Sequence, residues 1–241
     1  MIQKEKVKGI IFDYGGTIDT NSYHWAEVLW QKYEQIPVPV DKASFREAFV
    51  YGERSLAKHP YIRPEHNFLE VLQIKLKLHM EYLSEQGKLT NDKSVLDTYA
   101  SRIAASAYQH VLDVLKITRP VVAGLSEKYK LVLVSNFYGN IETILKDFGL
   151  LDYFSTIIES AVVGVRKPDP AIYQLGVDAM GYPASEIVVV GDSFSKDVMP
   201  AHTIGCQTVW LKGIGWGKET TDESIPDAII TDMAMLPQLF K

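Results

Sequence analysis

Short apolar runs that end abruptly in a polar residue are the feature that most constrains the fold of this chain. Three such runs each lead into a polar side chain, namely Asp13 after 7–12, Ser135 after 131–134 and Asp192 after 187–191. Runs of this length are typical of fully buried strands in a parallel sheet. Ligands of open α/β sheets bind where the strands end. The pattern therefore predicts an α/β protein with a polar site at the strand tips.

Between the first and second runs, the apolar residues are spaced as in helices. They recur at steps of three and four, which places each set on one face of a helix. Prolines and a glycine separate the helical segments. The predicted segments are 24–33, 44–56, 68–83 and 96–115. We therefore expect a helical cap domain at 20–117, inserted into a core domain formed by 1–19 and 118–241.

After the predicted cap, strands and helices alternate. Strands are expected at 131–135, 156–159, 187–191, 207–211 and 228–231. The clearest helix should begin with Asp169 as its N-cap and Pro170 at its first position, and should end at Gly181. Right-handed crossovers between successive strands would then give a doubly wound, Rossmann-like parallel sheet.

Composition and charge exclude several classes of protein. The formal net charge is −5, and lysines and arginines form no stripe, so a nucleic-acid partner is not expected. No apolar run approaches the roughly 20 residues that span a bilayer. The N-terminal residues lack the apolar segment of a signal peptide. With a single cysteine, Cys206, which we expect to be buried, these features favour a cytoplasmic protein without a membrane partner.

Two carboxylates follow the third of these strands and suit a metal ion. Asp197 lies five residues after Asp192, in the first turn of a predicted helix that Ser193 or Ser195 could cap. At neighbouring strand tips these carboxylates and Asp13 could converge on a hard cation. Mg²⁺ prefers oxygen ligands and usually retains waters and a substrate phosphate. The sequence therefore predicts a Mg²⁺ site.

Two further segments suit phosphate. The Ser135 hydroxyl and the backbone N–H of Asn136 could hold phosphate oxygens at the tip of the second strand. Lys167 precedes Pro168, which favours an extended backbone at the lysine. An ammonium group fixed near Asp13 would offset the negative charge of a bound phosphate.

In order and position, these segments resemble the haloacid dehalogenase (HAD) superfamily over essentially the whole chain. The residues that carry the resemblance are Asp13-Tyr14-Gly15-Gly16-Thr17, Ser135-Asn136, Lys167-Pro168, Gly191-Asp192 and Asp197. The resemblance implies that Asp13 forms an aspartyl-phosphate with help from Lys167, and that Ser135 and Asn136 bind phosphate. The implied ligands of Mg²⁺ are Asp13, the Gly15 carbonyl, Asp192 and Asp197. It also implies a cap over the site and a small phosphorylated substrate.

Gly15 departs from the superfamily pattern, because phosphatases of this type usually carry a second aspartate there. That aspartate protonates the leaving oxygen and later deprotonates the attacking water, which is worth typically about 10²–10⁴-fold in rate. Three functions therefore stay open: a Mg²⁺-dependent phosphatase, a non-catalytic phospholigand-binding protein, and a phosphonate hydrolase. The last would use a cap lysine, for which Lys32 and Lys58 are available. A dehalogenase is not expected, because Asp192 and Asp197 are present.

Other polar residues of the cap and rim give weaker signals. His24 and His59 lie in the predicted cap and could face a substrate. The glycine-rich segment 213–217 opens no predicted helix, so a rim loop is expected there rather than a dinucleotide motif. The sequence predicts neither the substrate nor the oligomeric state.

Overall fold

The strands predicted from the apolar runs form one sheet. The computed structural model describes residues 1–215 and 220–241. Its strands are β1 (Gly9–Phe12), β2 (Lys130–Ser135), β3 (Thr156–Glu159), β4 (Ile187–Gly191), β5 (Gln207–Leu211) and β6 (Ala228–Ile230). Within the described residues these six strands are all parallel, in the order β3-β2-β1-β4-β5-β6. The predicted α/β fold with a doubly wound parallel sheet is confirmed.

The apolar strands sit in the middle of the protein, with helices on both sides. Every residue of β1 and β4 is buried, as expected for strands covered on both faces. The strand β1 lies between β2 and β4, so their three C-terminal tips are neighbours. Relative to prediction, β1 begins two residues later, β2 begins one residue earlier and β6 ends one residue earlier.

Eight α-helices occur in the described residues. They are α1 (Trp25–Gln35), α2 (Lys42–Lys58), α3 (Phe68–Glu85), α4 (Lys93–Ser126), α5 (Ile141–Asp147), α6 (Ser160–Val163), α7 (Ala171–Met180) and α8 (Met199–Thr203). The first four lie between β1 and β2 and form the predicted helical insert. Side chains cap their N-termini, including a capping box in which Asn67 and Glu70 each accept the other's backbone N–H.

The longest helix, α4, extends well beyond the predicted segment 96–115. It has 34 residues and runs without interruption past position 117, with Pro120 inside it. Beyond the predicted stripe, the hydroxyl of Thr118 donates to the carbonyl of Ile18 at 2.7 Å. The same helix therefore belongs to the insert and also contacts the segment that follows β1. Our division at 20–117 remains a proposal.

Two local predictions need correction. The helix α7 begins at Ala171 with Pro170 as its N-cap residue, one position later than predicted, although the Asp169 carboxylate still accepts the N–H of Ala171 at 2.9 Å. Segment 194–198 is a π-helical turn rather than the first turn of an α-helix. Its cap is Ser193, whose hydroxyl accepts a backbone N–H.

The helical insert and the sheet share a continuous apolar core. The ring of Phe68 on α3 packs edge-on against Tyr14, which follows Asp13, with centroids 6.4 Å apart. It also packs against Trp25 on α1 at 5.5 Å and Phe148 after α5 at 5.8 Å. Cys206 is buried, as predicted. In segment 213–217, residues 216 and 217 lie outside the described residues.

Candidate active site

The candidate site begins with Asp13, directly after the central strand. Its backbone N–H donates to the Val190 carbonyl at 2.9 Å, so the residue continues the pairing of β1 with β4. The side chain is buried, and its Oδ2 accepts the Thr17 hydroxyl at 3.2 Å. Thr17 therefore fixes the orientation of the carboxylate, a positioning role consistent with its place in the loop.

The turn after Asp13 requires glycine at position 16. Gly16 has φ +92°, and a Cβ there would lie 2.3 Å from Oδ2 of Asp192. Asp19, which was not among the predicted site residues, stabilises this turn. Its Oδ1 accepts the Gly16 N–H at 2.7 Å and its Oδ2 accepts the indole N–H of Trp25 at 2.8 Å. Burial raises the pKa of Asp19 to about 7.

Gly15 has different surroundings from Gly16. It is half-buried, whereas the other described residues of 10–20 are fully buried. Its φ lies outside the left-handed region, and a Cβ built on it would meet no heavy atom of the described residues within 4 Å. A side chain is therefore sterically possible at this position, on the open side of the loop.

Lys167 enters the site from the loop before α7. The Asn136 side chain holds its backbone, since Nδ2 donates to the Lys167 carbonyl at 3.1 Å and Oδ1 accepts its N–H at 2.9 Å. The ammonium donates to Asp13 Oδ1 at 2.6 Å and to Asp197 Oδ1 at 2.7 Å. Burial alone would lower the pKa of Lys167, but the two carboxylates outweigh it and raise the pKa.

Asp197 is held on both of its oxygens. Besides Lys167, its Oδ1 accepts the hydroxyl of Tyr173 at 2.7 Å, and its Oδ2 accepts the Ser193 N–H at 2.9 Å. Tyr173 lies on α7, and its ring also faces the Lys167 ammonium at 5.3 Å. These contacts make Asp197 a positioning residue for Lys167. The Asp192 carboxylate accepts fewer hydrogen bonds from the described residues than that of Asp197 does.

Three carboxylates and one ammonium meet at these strand tips. One oxygen from each of Asp13, Asp192 and Asp197 lies within 4.8 Å of the others. Burial raises the pKa of Asp13 to about 6; Lys167 opposes this shift, and Asp197 adds to it. Burial and the same neighbouring carboxylates hold the pKa of Asp192 well above its usual range. A divalent cation would relieve this repulsion, so the donor set fits a hard metal ion.

The phosphate side of the predicted site lies at the tip of β2. Phe12 pairs with Leu133, so buried Ser135 lies just beyond the level of Asp13 on the neighbouring strand. Glu159 of β3 holds the backbone that follows. Its carboxylate accepts the N–H groups of Gly139, Asn140 and Ile141, at 2.5, 3.1 and 3.4 Å.

Lys75, a lysine of the insert, lies in a polar cluster beside the loop after β2. Its ammonium is buried and lies 2.6 Å from Glu53 Oε1, and Glu53 Oε2 accepts the Tyr138 hydroxyl at 2.9 Å. This cluster joins α2 and α3 to the loop after β2. The pKa of Lys75 is raised because Glu53 outweighs the effect of burial. Lys32, by contrast, donates to Gln35 on its own helix.

The two candidate histidines differ in their surroundings. His24 caps α1 by accepting the Ala26 N–H at 3.1 Å, and burial lowers its pKa to about 4. His59 is exposed after the end of α2, where its ring packs against Tyr61. No helix in residues 1–215 or 220–241 is both long and apolar enough to cross a membrane.

Comparison with known proteins identifies the family. The model of the haloacid dehalogenase-like hydrolases matches residues 7–205. Haloacid dehalogenase-like hydrolase domain-containing protein 3 of Danio rerio is 37% identical over 105 residues, which cover 44% of this chain and 43% of the relative. The 5-amino-6-(5-phospho-D-ribitylamino)uracil phosphatase YigB of Escherichia coli K12 is 30% identical over 124 residues, covering 52% of this chain and 50% of the relative.

A solved structure shares the fold over a greater length. YfnB of Bacillus subtilis, bound to magnesium, aligns with a TM-score of 0.60 and 19% identity, covering 98% of this chain and 99% of YfnB. The sequence matches themselves span about half the length of the two relatives. The family model covers most of the chain, and the likeness to YfnB extends over the whole fold. The chain therefore belongs to the haloacid dehalogenase-like hydrolases.

Proposed function

We propose that the protein is a Mg²⁺-dependent phosphatase that acts on a small phosphorylated metabolite through an aspartyl-phosphate on Asp13. The observation that carries this proposal is the cluster at the strand tips, where three carboxylates face one ammonium. Such a site has an excess of negative charge that a divalent cation would balance. The relationship to YigB, itself a phosphatase, supports the same reaction class.

In this proposal Asp13 and Asp192 bind the metal with their side chains, and Gly15 binds it with its carbonyl. Asp197 supports them, because both of its oxygens already accept hydrogen bonds. The bound metal would neutralise phosphate oxygens and keep Asp13 ionised. Lys167 would orient Asp13 for in-line attack on phosphorus, since positioning and charge dominate phosphoryl transfer.

The phosphate itself would lie beyond the C-terminal tips of β1 and β2. Ser135 would donate its hydroxyl to a phosphate oxygen, and the Asn136 backbone N–H would donate to another. The Asn136 side chain is already committed to Lys167. Ser135 would thus bind substrate, whereas Asn136 would both bind substrate and fix the lysine.

The test is a screen of phosphorylated compounds with and without Mg²⁺, using Asp13→Asn as the matched control. The substitution keeps the size of the side chain but removes its nucleophilic charge. We expect metal-dependent release of phosphate by the wild type and a loss of at least about 10³-fold in the variant, because an amide at this position cannot serve as the nucleophile. Equal rates in the two proteins would exclude the proposed intermediate.

A non-catalytic phospholigand-binding protein is the alternative that Gly15 favours, because the usual acid and base is missing. Binding of inorganic phosphate with Mg²⁺, together with no turnover of any compound in the screen, would establish it. The phosphonate hydrolase gains no specific support. Lys58 is exposed at the end of α2, and Lys75 is ion-paired and protonated. Burial lowers the pKa of Lys32, but its ammonium donates to Gln35 on its own helix. A Schiff base requires a neutral amine.

A further inference from the structure

The loop after the nucleophile leaves open the place where an acid would stand. Gly15 is the half-buried residue in the otherwise buried stretch 10–20, and the space beside its Cα is free of the described atoms to 4 Å. Its backbone would tolerate a side chain. A leaving group or a water molecule can therefore occupy the position from which a proton would normally be given or taken.

Three donor groups of the site, those of Thr17, Lys167 and Tyr173, are already engaged in hydrogen bonds. The Thr17 hydroxyl donates to Asp13, and the Lys167 ammonium donates to Asp13 and Asp197. The Tyr173 hydroxyl donates to Asp197. Each would have to leave a charged acceptor before it could protonate a leaving oxygen. Asp192, as a metal ligand in the proposed function, would be ionised.

Asp19 cannot replace the missing acid either. It is fully buried beneath the loop, and its two oxygens accept N–H groups from Gly16 and Trp25. Its carboxylate therefore holds the turn through the Gly16 N–H, on the buried side of the loop, and does not face the open side of Gly15. The groups named here therefore orient Asp13, Asp197 and the turn, and none of them is free to exchange a proton on the open side of Gly15.

We infer that the substrates of this site are phosphate monoesters and anhydrides whose leaving oxygen departs as a stable anion, that is, aryl or acyl phosphates. This inference rests on the proposed function. In the first step an oxygen of Asp13 forms a bond to phosphorus, and the bond from phosphorus to the leaving oxygen breaks. The electron pair stays on that oxygen as a phenolate or carboxylate, which needs no proton at neutral pH.

Hydrolysis of the aspartyl-phosphate should be the slow step, because it too lacks the acid–base group that Gly15 replaces. Water must attack the phosphorus of the aspartyl-phosphate, which breaks the bond between phosphorus and Asp13 and returns the carboxylate. One proton of that water must pass to the solvent or to the phosphate, because Gly15 offers no base. The phosphoenzyme should therefore accumulate with a good substrate.

The first experiment measures kcat/KM with Mg²⁺ for a series of phosphates: p-nitrophenyl, phenyl, acetyl and ethyl. We expect the aryl and acyl phosphates to exceed ethyl phosphate by about 10²-fold or more, the size of the missing acid–base contribution. We also expect a burst of about one p-nitrophenolate per chain in rapid mixing, as for a covalent intermediate that accumulates.

The second experiment compares Gly15→Asp with Gly15→Asn, which has nearly the same shape and no acid. Gly15→Asp should raise kcat/KM for ethyl phosphate by about 10²-fold and shorten the life of the phosphoenzyme, and Gly15→Asn should not. Melting temperatures and Mg²⁺ titrations identify a variant with a damaged loop. The burst and the substrate series use the wild type alone, so they test the inference even if both variants misfold.

The outcomes separate the inference from the function on which it rests. A flat dependence on the leaving group in the wild type, without a burst, would overturn the inference while leaving the phosphatase intact. Another residue would then supply the proton. Failure of the wild type to hydrolyse any of the four phosphates with Mg²⁺ would overturn the inference, and failure across the wider screen as well would overturn the proposed function.

Discussion

Lys167→Met offers the sharpest test of the electrostatic reasoning. The ammonium is buried and lies 2.6 Å from Asp13 and 2.7 Å from Asp197. Methionine preserves most of the volume but leaves three carboxylates without their cation. Removing one partner of a buried ion pair typically costs about 3–5 kcal/mol. For a chain of this length, that corresponds to a decrease in melting temperature of about 6–20 °C.

The loss of stability in Lys167→Met should depend on pH in a defined direction. Without the ammonium, the pKa of Asp13 rises further above its value in the unfolded chain. A group with a raised pKa contributes stability that is present at low pH and is lost as pH rises through the folded value. The wild-type pKa of Asp13 is about 6. The variant should therefore be destabilised more at pH 7.5 than at pH 5, where a carboxylate can bind a proton.

The assay is urea unfolding in the presence of EDTA at both pH values. Lys130→Met is the control, because the Lys130 ammonium donates to the carbonyls of Ala179 and Met180 rather than to carboxylates. We expect little pH dependence for the control. If Lys167→Met loses less than about 1 kcal/mol, or loses the same amount at pH 5 and pH 7.5, the carboxylates do not depend on this cation and the reasoning is wrong.

Three further substitutions test the site around this pair. Asp192→Asn should weaken Mg²⁺ binding in calorimetric titration, because it removes a charged ligand; equal affinity would exclude that role. Asp19→Asn should flatten the pH dependence of unfolding between about pH 4 and 7 in EDTA, because the raised pKa of Asp19, about 7, makes wild-type stability fall across this range; a profile as steep as that of the wild type would contradict this. Tyr173→Phe keeps the ring but loses the hydrogen bond to Asp197, so urea unfolding should detect a loss of about 1.5–3 kcal/mol; no loss would mean that the other partners hold Asp197 sufficiently.

The strand tips could be predicted because each buried strand is a simple local pattern. The apolar runs end close to where the strands end, and parallel order then brings Asp13, Ser135 and Asp192 to one edge. Lys167 followed from the resemblance and from Pro168, and the structure places its ammonium between two of the carboxylates.

Two residues of the site, Asp19 and Tyr173, could not be predicted, because their contacts leave no pattern in the neighbouring sequence. Asp19 binds a backbone N–H and an indole from the next helix, and Tyr173 reaches Asp197 from the start of α7. Likewise, α4 was predicted too short because the apolar stripe weakens after Leu115. A proline usually ends a helix, yet α4 continues past Pro120, with buried residues on both sides of it.

Pro120 is the point at which α4 should bend most easily. A proline lacks the N–H that would bond to the carbonyl four residues earlier, so resistance to bending is lowest there. From Pro120 to Lys93 the helix measures about 40 Å at about 1.5 Å per residue. A bend of about 10° would thus swing the far end by about 7 Å, while the Thr118 contact, two residues from the pivot, would move by only about 0.5 Å. A small displacement beside the loop that follows Asp13 would therefore accompany a much larger displacement of the far end of α4.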